Sequence, residues 1–175
     1  MNLPRTTYAV ILVGALAWCV TIVAPTFLGN SSFAWLSEFI YRFFNPICHQ
    51  LPERSFHLIG EKLAVCSRCS SIYFAFLIGV IVYPFAVSSL RFSTAPSRRV
   101  LLAALLPMII DVGLDFLGIH DSSILTRTLT GVLFGITIPF FVVPSAIEGV
   151  QQIVAERHIT IPQPSTNIRK ESSHA

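Results

Sequence analysis

Three of the four cysteines lie in one polar segment between two apolar stretches. Cys66 and Cys69 form a C-x-x-C pair, and Cys48 precedes them. Two cysteines at this spacing can place both sulfurs on one metal ion, and a third cysteine with a histidine completes the tetrahedral set that zinc prefers. The segment therefore predicts a zinc site held by these three cysteines, with His49 as the nearest candidate for the fourth ligand.

The fourth ligand has alternatives, because adjacent residues rarely both bind one metal ion. His57, His120 and Asp111 carry suitable ligand atoms. The same cysteines also suit thiol–disulfide chemistry, because the N-terminus of a helix lowers the pKa of a C-x-x-C thiol and Cys48 can act as the exchange partner. A structural disulfide between two of the three is the remaining interpretation. A location outside the cytoplasm would favour the oxidised forms.

Two carboxylates, Asp111 and Asp115, lie four residues apart within an apolar run. A charged side chain inside a bilayer costs about 2.5–3.5 kcal/mol on insertion scales, so it persists where it is paired, bound to a ligand or functional. Arg54, Arg68 and Arg127 are available as partners, and we expect them to pair with these two aspartates beneath the zinc site. The pattern is consistent with ion pairs that lock the helices. It is equally consistent with proton transfer or ligand binding, which makes both aspartates and Arg127 candidate catalytic residues.

Arg127 lies just before the last apolar run, and two kinds of partner suit its guanidinium there. It can pair with Asp121 in the preceding loop, which is the favoured interpretation, or it can bind an anionic lipid headgroup. The same loop carries His120. The residues that we assign to a polar cluster around the cysteines are Arg54, Arg68, His57, His120 and Asp121.

The surrounding composition predicts an all-α membrane protein. The chain is 53% hydrophobic and only 12% charged, whereas a soluble domain has about 25% charged residues. Helices of roughly 20 apolar residues cross a bilayer, and residues 1–150 are predicted to form one four-helix transmembrane bundle. The predicted spans are residues 8–28, 72–90, 100–118 and 128–147. The net charge of +3 comes without a dense basic patch, which argues against nucleic-acid binding.

Shorter segments connect these spans. Residues 33–44 are rich in aromatic side chains but too short to cross, which predicts an interfacial helix. Residues 45–71 are predicted to form the cysteine- and histidine-bearing loop, and residues 151–175 a polar, disordered tail. Gly131 and Gly135 have the four-residue spacing that lets helix backbones approach closely.

The even number of spans places both termini on one side and the polar loops on the other. The third span runs towards the loop side, so the cysteines, carboxylates and arginines are expected to converge there.

Seven Lys and Arg residues lie on the side of the termini and five on the loop side, which favours cytoplasmic termini in a bacterial inner (plasma) membrane. The lipid bilayer is the partner that the sequence predicts, and protein partners are left open. Without an internal repeat, a transport pathway would require a homo-oligomer.

The cysteine segment resembles a known family at three stretches: CHQ at residues 48–50, PERSF at 52–56 and CxRCxxIY at 66–73. The family is catalogued as domain of unknown function 2085 and consists of small bacterial and archaeal membrane proteins. The likeness continues more loosely through Pro107, Asp111, Arg127, Thr130, Gly131 and Gly135. The resemblance implies a small multi-span membrane protein with no assigned activity.

Three positions depart from the pattern of that family. Ser71 and Ala75 stand where glycine is usual, and their side chains are expected to crowd the start of the second span. Ile124 stands where asparagine is usual, which puts a polar role for the last loop in doubt.

The sequence thus predicts a four-span membrane protein with a zinc site at one membrane face, next to intramembrane carboxylates. Whether it is an enzyme stays open at this stage. The alternative functions are a membrane thiol–disulfide oxidoreductase that uses the C-x-x-C, and a non-enzymatic assembly or transport partner.

Overall fold

The structure is a computed structural model that describes residues 3–29, 31–87, 96–119 and 121–160. Most of these residues are helical, which confirms the predicted helical class. The helices are α1 (Leu3–Leu28), α2 (Ala34–Phe44), α3 (Ser67–Ala86), α4 (Arg98–Phe116), α5 (Ile124–Thr137) and α6 (Pro139–Thr160). Between α2 and α3 lie a 3-10 turn (Pro52–Arg54) and an antiparallel hairpin of β1 (His57–Leu58) and β2 (Glu61–Lys62).

Three helical segments of the described chain are long and apolar enough to cross a membrane. They are Leu3–Leu28, Ser67–Ala86 and Ile124–Glu156, the last of which joins α5 to most of α6. Helix α4, predicted as the third of four spans, is not among them, because its 19 residues include two arginines and two aspartates. Length and composition therefore support three of the four predicted spans.

Helix α3 runs parallel to α5 and α6, and its most extensive packing is against α5. Gly135 of α5 faces Ile72, and Pro139 at the start of α6 faces Gly79. Because both residue numbers rise together, the two segments progress in the same direction. Gly131 and Gly135 are buried at this contact, as their spacing predicted, and small residues at such positions allow the backbones to approach closely.

Helix α1 runs antiparallel to α3. The hydroxyl of Tyr8 donates a hydrogen bond to the carbonyl of Val80 (2.9 Å) near the far end of α3. The backbone N–H of Ala64, just before α3, donates to the carbonyl of Ile22 (3.0 Å) near the end of α1. The C-terminus of α1 therefore lies at the same end of the bundle as the N-terminus of α3.

Helix α4 ends abruptly beside the start of α5. Gly118 has a φ of +67°, and its N–H donates to the carbonyl of Asp115 (3.2 Å). A glycine in this left-handed conformation is a common way to end a helix. Helix α5 then begins after Ser123, whose hydroxyl accepts a hydrogen bond from the N–H of Thr126 (3.2 Å). This tight connection brings the aspartates of α4 next to the first turn of α5.

Helix α3 begins at Ser67, five residues before the predicted start at residue 72. Its serines join the helix because their hydroxyls bond to carbonyls one turn back, as Ser71 does to Ser67 (2.7 Å). Hydropathy alone could not detect this. Helix α6 likewise continues to Thr160, within the segment predicted to be a tail, and residues 161–175 lie outside the described residues.

Helix α2 is 11 residues long, close to the predicted short helix. It buries Ile40 and Phe44 against α1 and against residues 63–65, which follow the hairpin, while Trp35 and Phe39 are exposed. A helix with one aromatic face exposed and no room to span suits the membrane interface. Its interfacial position stays a prediction.

Candidate metal and ion-pair site

The three cysteines of the polar segment meet at the N-terminus of α3. Cys48 follows α2, and its N–H donates to the carbonyl of Phe44 (2.9 Å). Cys66 is the N-cap residue of α3, and Cys69 lies in the first turn of that helix. The backbone N–H of Cys66 donates to Sγ of Cys48 (3.1 Å), which joins the end of α2 to the start of α3.

A hairpin folds the intervening loop back so that this meeting occurs. Its turn is Ile59-Gly60, both with positive φ, as two-residue hairpin turns require. The buried run of residues 63–65 follows the hairpin and leads directly into Cys66. Through Ala64, this run is hydrogen-bonded to α1. The position of Cys66 is therefore set by the packed core of the bundle.

The Sγ atoms of Cys48, Cys66 and Cys69 all lie within 4.8 Å of one another. Sulfurs bound to one tetrahedral zinc at about 2.3 Å lie roughly 3.8 Å apart, so this arrangement fits a single ion. Hydrogen bonds from the thiols of Cys48 and then Cys69 lower the pKa of Cys66, while the same group of contacts raises the pKa of Cys69. The thiolate is the form that binds metal, and all three cysteines are free of disulfides.

A cavity of about 360 Å³ opens beside the sulfurs. Its polar lining consists of Cys48, His49, Gln50, Arg54, Cys66, Arg68, Cys69, Asp115 and Arg127. His49 is exposed at this cavity, but its ring nitrogens are not grouped with the three sulfurs. It shares the cavity with the cysteines and stays the candidate for a fourth ligand.

Asp111 forms a buried ion pair with Arg68. A terminal nitrogen of the guanidinium contacts Oδ2 of the carboxylate, and the two side chains are only 14% and 8% exposed. The same nitrogen lies 3.4 Å from the hydroxyl of Ser122. Asp111 is thus paired with Arg68 and does not line the cavity, whereas Asp115 does.

Asp115 is the centre of a second group of contacts. Its Oδ2 accepts hydrogen bonds from Arg127 (2.9 Å) and Arg54 (3.2 Å). Its Oδ1 accepts one from the N–H of Ser122 (3.3 Å). Arg127 therefore pairs with Asp115 and not with Asp121, which is exposed. The reason is the tight end of α4, which places Asp115 directly beside the first turn of α5.

The other members of the predicted polar cluster do not line the cavity or are not among the residues that the structure describes. His57 is exposed in β1, and Asp121 is exposed in the loop before α5. His120 lies outside the described residues. Arg54 and Arg68 are the members of this predicted set that line the cavity.

Gln50 has a structural role that its residue type and spacing did not predict. It is buried with a φ of +52°. Its side-chain amide donates to the carbonyl of Tyr41 (2.8 Å), and its own carbonyl accepts from the ammonium of Lys62 (2.9 Å). These bonds hold the chain just after Cys48 between α2 and the hairpin. The signal in the sequence was its place in the CHQ stretch.

Comparison with known proteins gives a family of predicted membrane proteins and uncharacterised relatives from archaea. The family model described as "Predicted membrane protein (DUF2085)" matches residues 48–141. An uncharacterised protein of Methanocaldococcus jannaschii is 37% identical over 146 residues, which cover 81% of this chain and 93% of that protein. An uncharacterised protein of Methanothermobacter thermautotrophicus is 38% identical over 95 residues, 53% of this chain and 81% of that protein. No solved structure matches.

Proposed function

The chain belongs to the DUF2085 family of predicted membrane proteins, and we propose that it binds one zinc ion at a membrane face. The ligands are Cys48, Cys66 and Cys69. The observation that carries the proposal is the mutual proximity of three sulfurs within 4.8 Å. The bond from the N–H of Cys66 to the sulfur of Cys48 (3.1 Å) supports it, because hydrogen bonds to ligand atoms orient them for a metal.

We assign the fourth coordination position to His49. It is adjacent to Cys48 and shares the cavity with all three sulfurs, whereas His57 lies on the hairpin and does not line this cavity. A zinc ion with four protein ligands stabilises the fold, while one that keeps an open position acts as a Lewis acid. Replacing His49 and counting bound zinc separates these two roles. Loss of zinc indicates a site with four protein ligands, and unchanged zinc binding indicates a site with an open position.

We further propose that residues 1–150 form a single domain with four spans, α4 being the third. What supports this is the parallel course of α3 and α5–α6, because the chain must return across the bundle between them. The two aspartates of α4 are both paired with arginines. This pairing reduces the cost of placing their charges in a membrane. Both termini then lie on one side, which the distribution of Lys and Arg assigns to the cytoplasm.

The first test is the zinc content and free-thiol count of the purified protein in detergent. We expect about one zinc per chain, with the three site thiols protected from alkylation until a chelator is added. Absence of metal, with two thiols that react only after reduction, would contradict the proposal. That result would instead favour the thiol–disulfide oxidoreductase.

A substitution series tests the assigned ligands. Cys66→Ser should weaken zinc binding at least tenfold, a change of about 1.4 kcal/mol or more in binding free energy, because a ligand sulfur is lost. Cys19→Ser is the matched control, since Cys19 is buried elsewhere against the carbonyl of Tyr73 (3.5 Å) and a hydroxyl can replace its thiol there. Competition with a chromogenic chelator measures both affinities. Equal affinities for the two variants would exclude Cys66 as a ligand.

A further inference from the structure

The arginine side of the cavity has more hydrogen-bond donors than the described acceptors use. Arg54, Arg68 and Arg127 all line it, and each guanidinium has five N–H groups. They share two carboxylates, and one oxygen of Asp115 serves both Arg54 and Arg127. Within the described chain, the buried Nε of Arg68 has no hydrogen-bond partner. Buried donors are almost always satisfied by protein, water or a ligand.

The rest of the cavity lining is apolar and reaches the protein surface. Ile47 and Leu51 flank the CHQ stretch at residues 48–50, and Val112 and Phe116 come from the end of α4. Phe116 is 89% exposed. A cavity with guanidinium groups at one part of its wall and exposed apolar side chains at another suits a molecule with an anionic group and an apolar portion.

We propose that this cavity binds a phosphate-type oxyanion, as carried by an anionic phospholipid headgroup or by free phosphate. The planar fork of arginine matches the oxygens of a phosphate in geometry and charge. The volume of about 360 Å³ lies within the range of small-molecule pockets, roughly 300–1,000 Å³. Arg54, whose side chain is 39% exposed, is the guanidinium with the most freedom to turn towards a ligand. The inference goes beyond the zinc site and rests on different side chains.

The experiment compares Arg54→Gln with the wild-type chain in a non-ionic detergent. Native mass spectrometry counts bound short-chain phosphatidylglycerol against phosphatidylcholine, and calorimetry measures inorganic phosphate. We expect one saturable anion per chain and a loss of affinity of about tenfold in Arg54→Gln, as for removal of one charge-assisted hydrogen bond. The variant should fold, because Asp115 keeps its contacts with Arg127 and Ser122.

Arg42→Gln is the matched control for this loss. It removes the same charge from an exposed side chain of α2 that pairs with Glu38 and does not line the cavity. An equal loss in both variants would overturn the inference, because it would show general surface attraction. Failure of every anion to bind the wild-type chain would overturn it as well.

The remaining outcomes identify the source of the anion and separate this inference from the zinc site. Binding of phosphatidylglycerol alone supports a lipid headgroup, and binding of phosphate alone, with the same dependence on Arg54, supports the free ion. Zinc is counted in the same samples. Anion binding by a chain without zinc would contradict only the proposed function, and a zinc-bound chain that binds no anion would contradict only this inference.

Discussion

Replacing Asp111 by asparagine is expected to lower the free energy of unfolding by about 3 kcal/mol, since breaking a buried pair leaves an uncompensated charge. Arg68 and Asp111 are both largely buried. The only other side-chain contact of that guanidinium among the described hydrogen bonds is with Ser122, at 3.4 Å. The guanidinium therefore cannot recover its lost partner without moving. Unfolding of the detergent-solubilised chain in a denaturing detergent measures the change.

The control for this prediction is Glu38→Gln. It breaks the pair between Glu38 and Arg42, whose side chains are 61% and 79% exposed, so a change within about 1 kcal/mol is expected. The double variant Asp111→Asn with Arg68→Gln should lose less stability than the sum of the two single changes, because neither charge is then left alone. Additive losses, or equal losses for Asp111→Asn and Glu38→Gln, would refute a stabilising role for the buried pair.

The charges that would carry chemistry are thus the same charges that hold the helices together. Arg68 belongs to α3, Asp111 and Asp115 to α4, and Arg127 to α5, so the ion pairs join three helices at one end of the bundle. A substitution at these residues changes both stability and the cavity. Arg54 lies outside these three helices, in the 3-10 turn after Cys48, and its loss would leave Asp115 paired with Arg127.

The convergence at one end of the bundle was predictable from the sequence. The apolar runs locate α1, α3 and the α5–α6 segment. The prediction that residues 100–118 run back towards the loop side placed Asp111 and Asp115 near the cysteines. The close contact at Gly131 and Gly135 was likewise indicated by spacing. In the structure, Ser71 faces Gly131 and Ala75 faces Gly135, so the side chains that were expected to crowd α3 lie against glycines that have none.

Sequence patterns predicted the ion pairs of the site and missed its local geometry. Arg54, Arg68 and Arg127 were the expected partners of Asp111 and Asp115, and the structure pairs them so. Asp121 was the other partner considered for Arg127, but the turn at Gly118 places Asp115 beside the first turn of α5. The hairpin before α3 was also missed, because its turn is Ile59-Gly60 and lacks the Asn-Gly or Asp-Gly signal of such turns. The start of α3 at Ser67 depends on hydroxyl-to-carbonyl bonds that hydropathy does not report.

Gly135→Ala is expected to separate α5 from α3 and to lower the free energy of unfolding by about 2 kcal/mol, as overpacking of a close contact typically does. A Cβ atom on Gly135 would lie 2.9 Å from Cα of Ile72 and would also contact its carbonyl oxygen. The obstacle is backbone, so a change of rotamer cannot relieve it. The same unfolding assay in detergent measures the loss.

Two further variants show whether the backbone contact is the cause. Gly149→Ala is the control, because a Cβ at Gly149 in α6 meets nothing within 4 Å. It should be neutral or stabilise the chain by up to about 1 kcal/mol through helix propensity. Adding Ala75→Gly to Gly135→Ala should not restore stability, since it removes a methyl group that lies 3.0 Å away and leaves the backbone of Ile72 in place. Full recovery in that double variant would mean that side-chain crowding, and not backbone approach, sets the distance between α3 and α5.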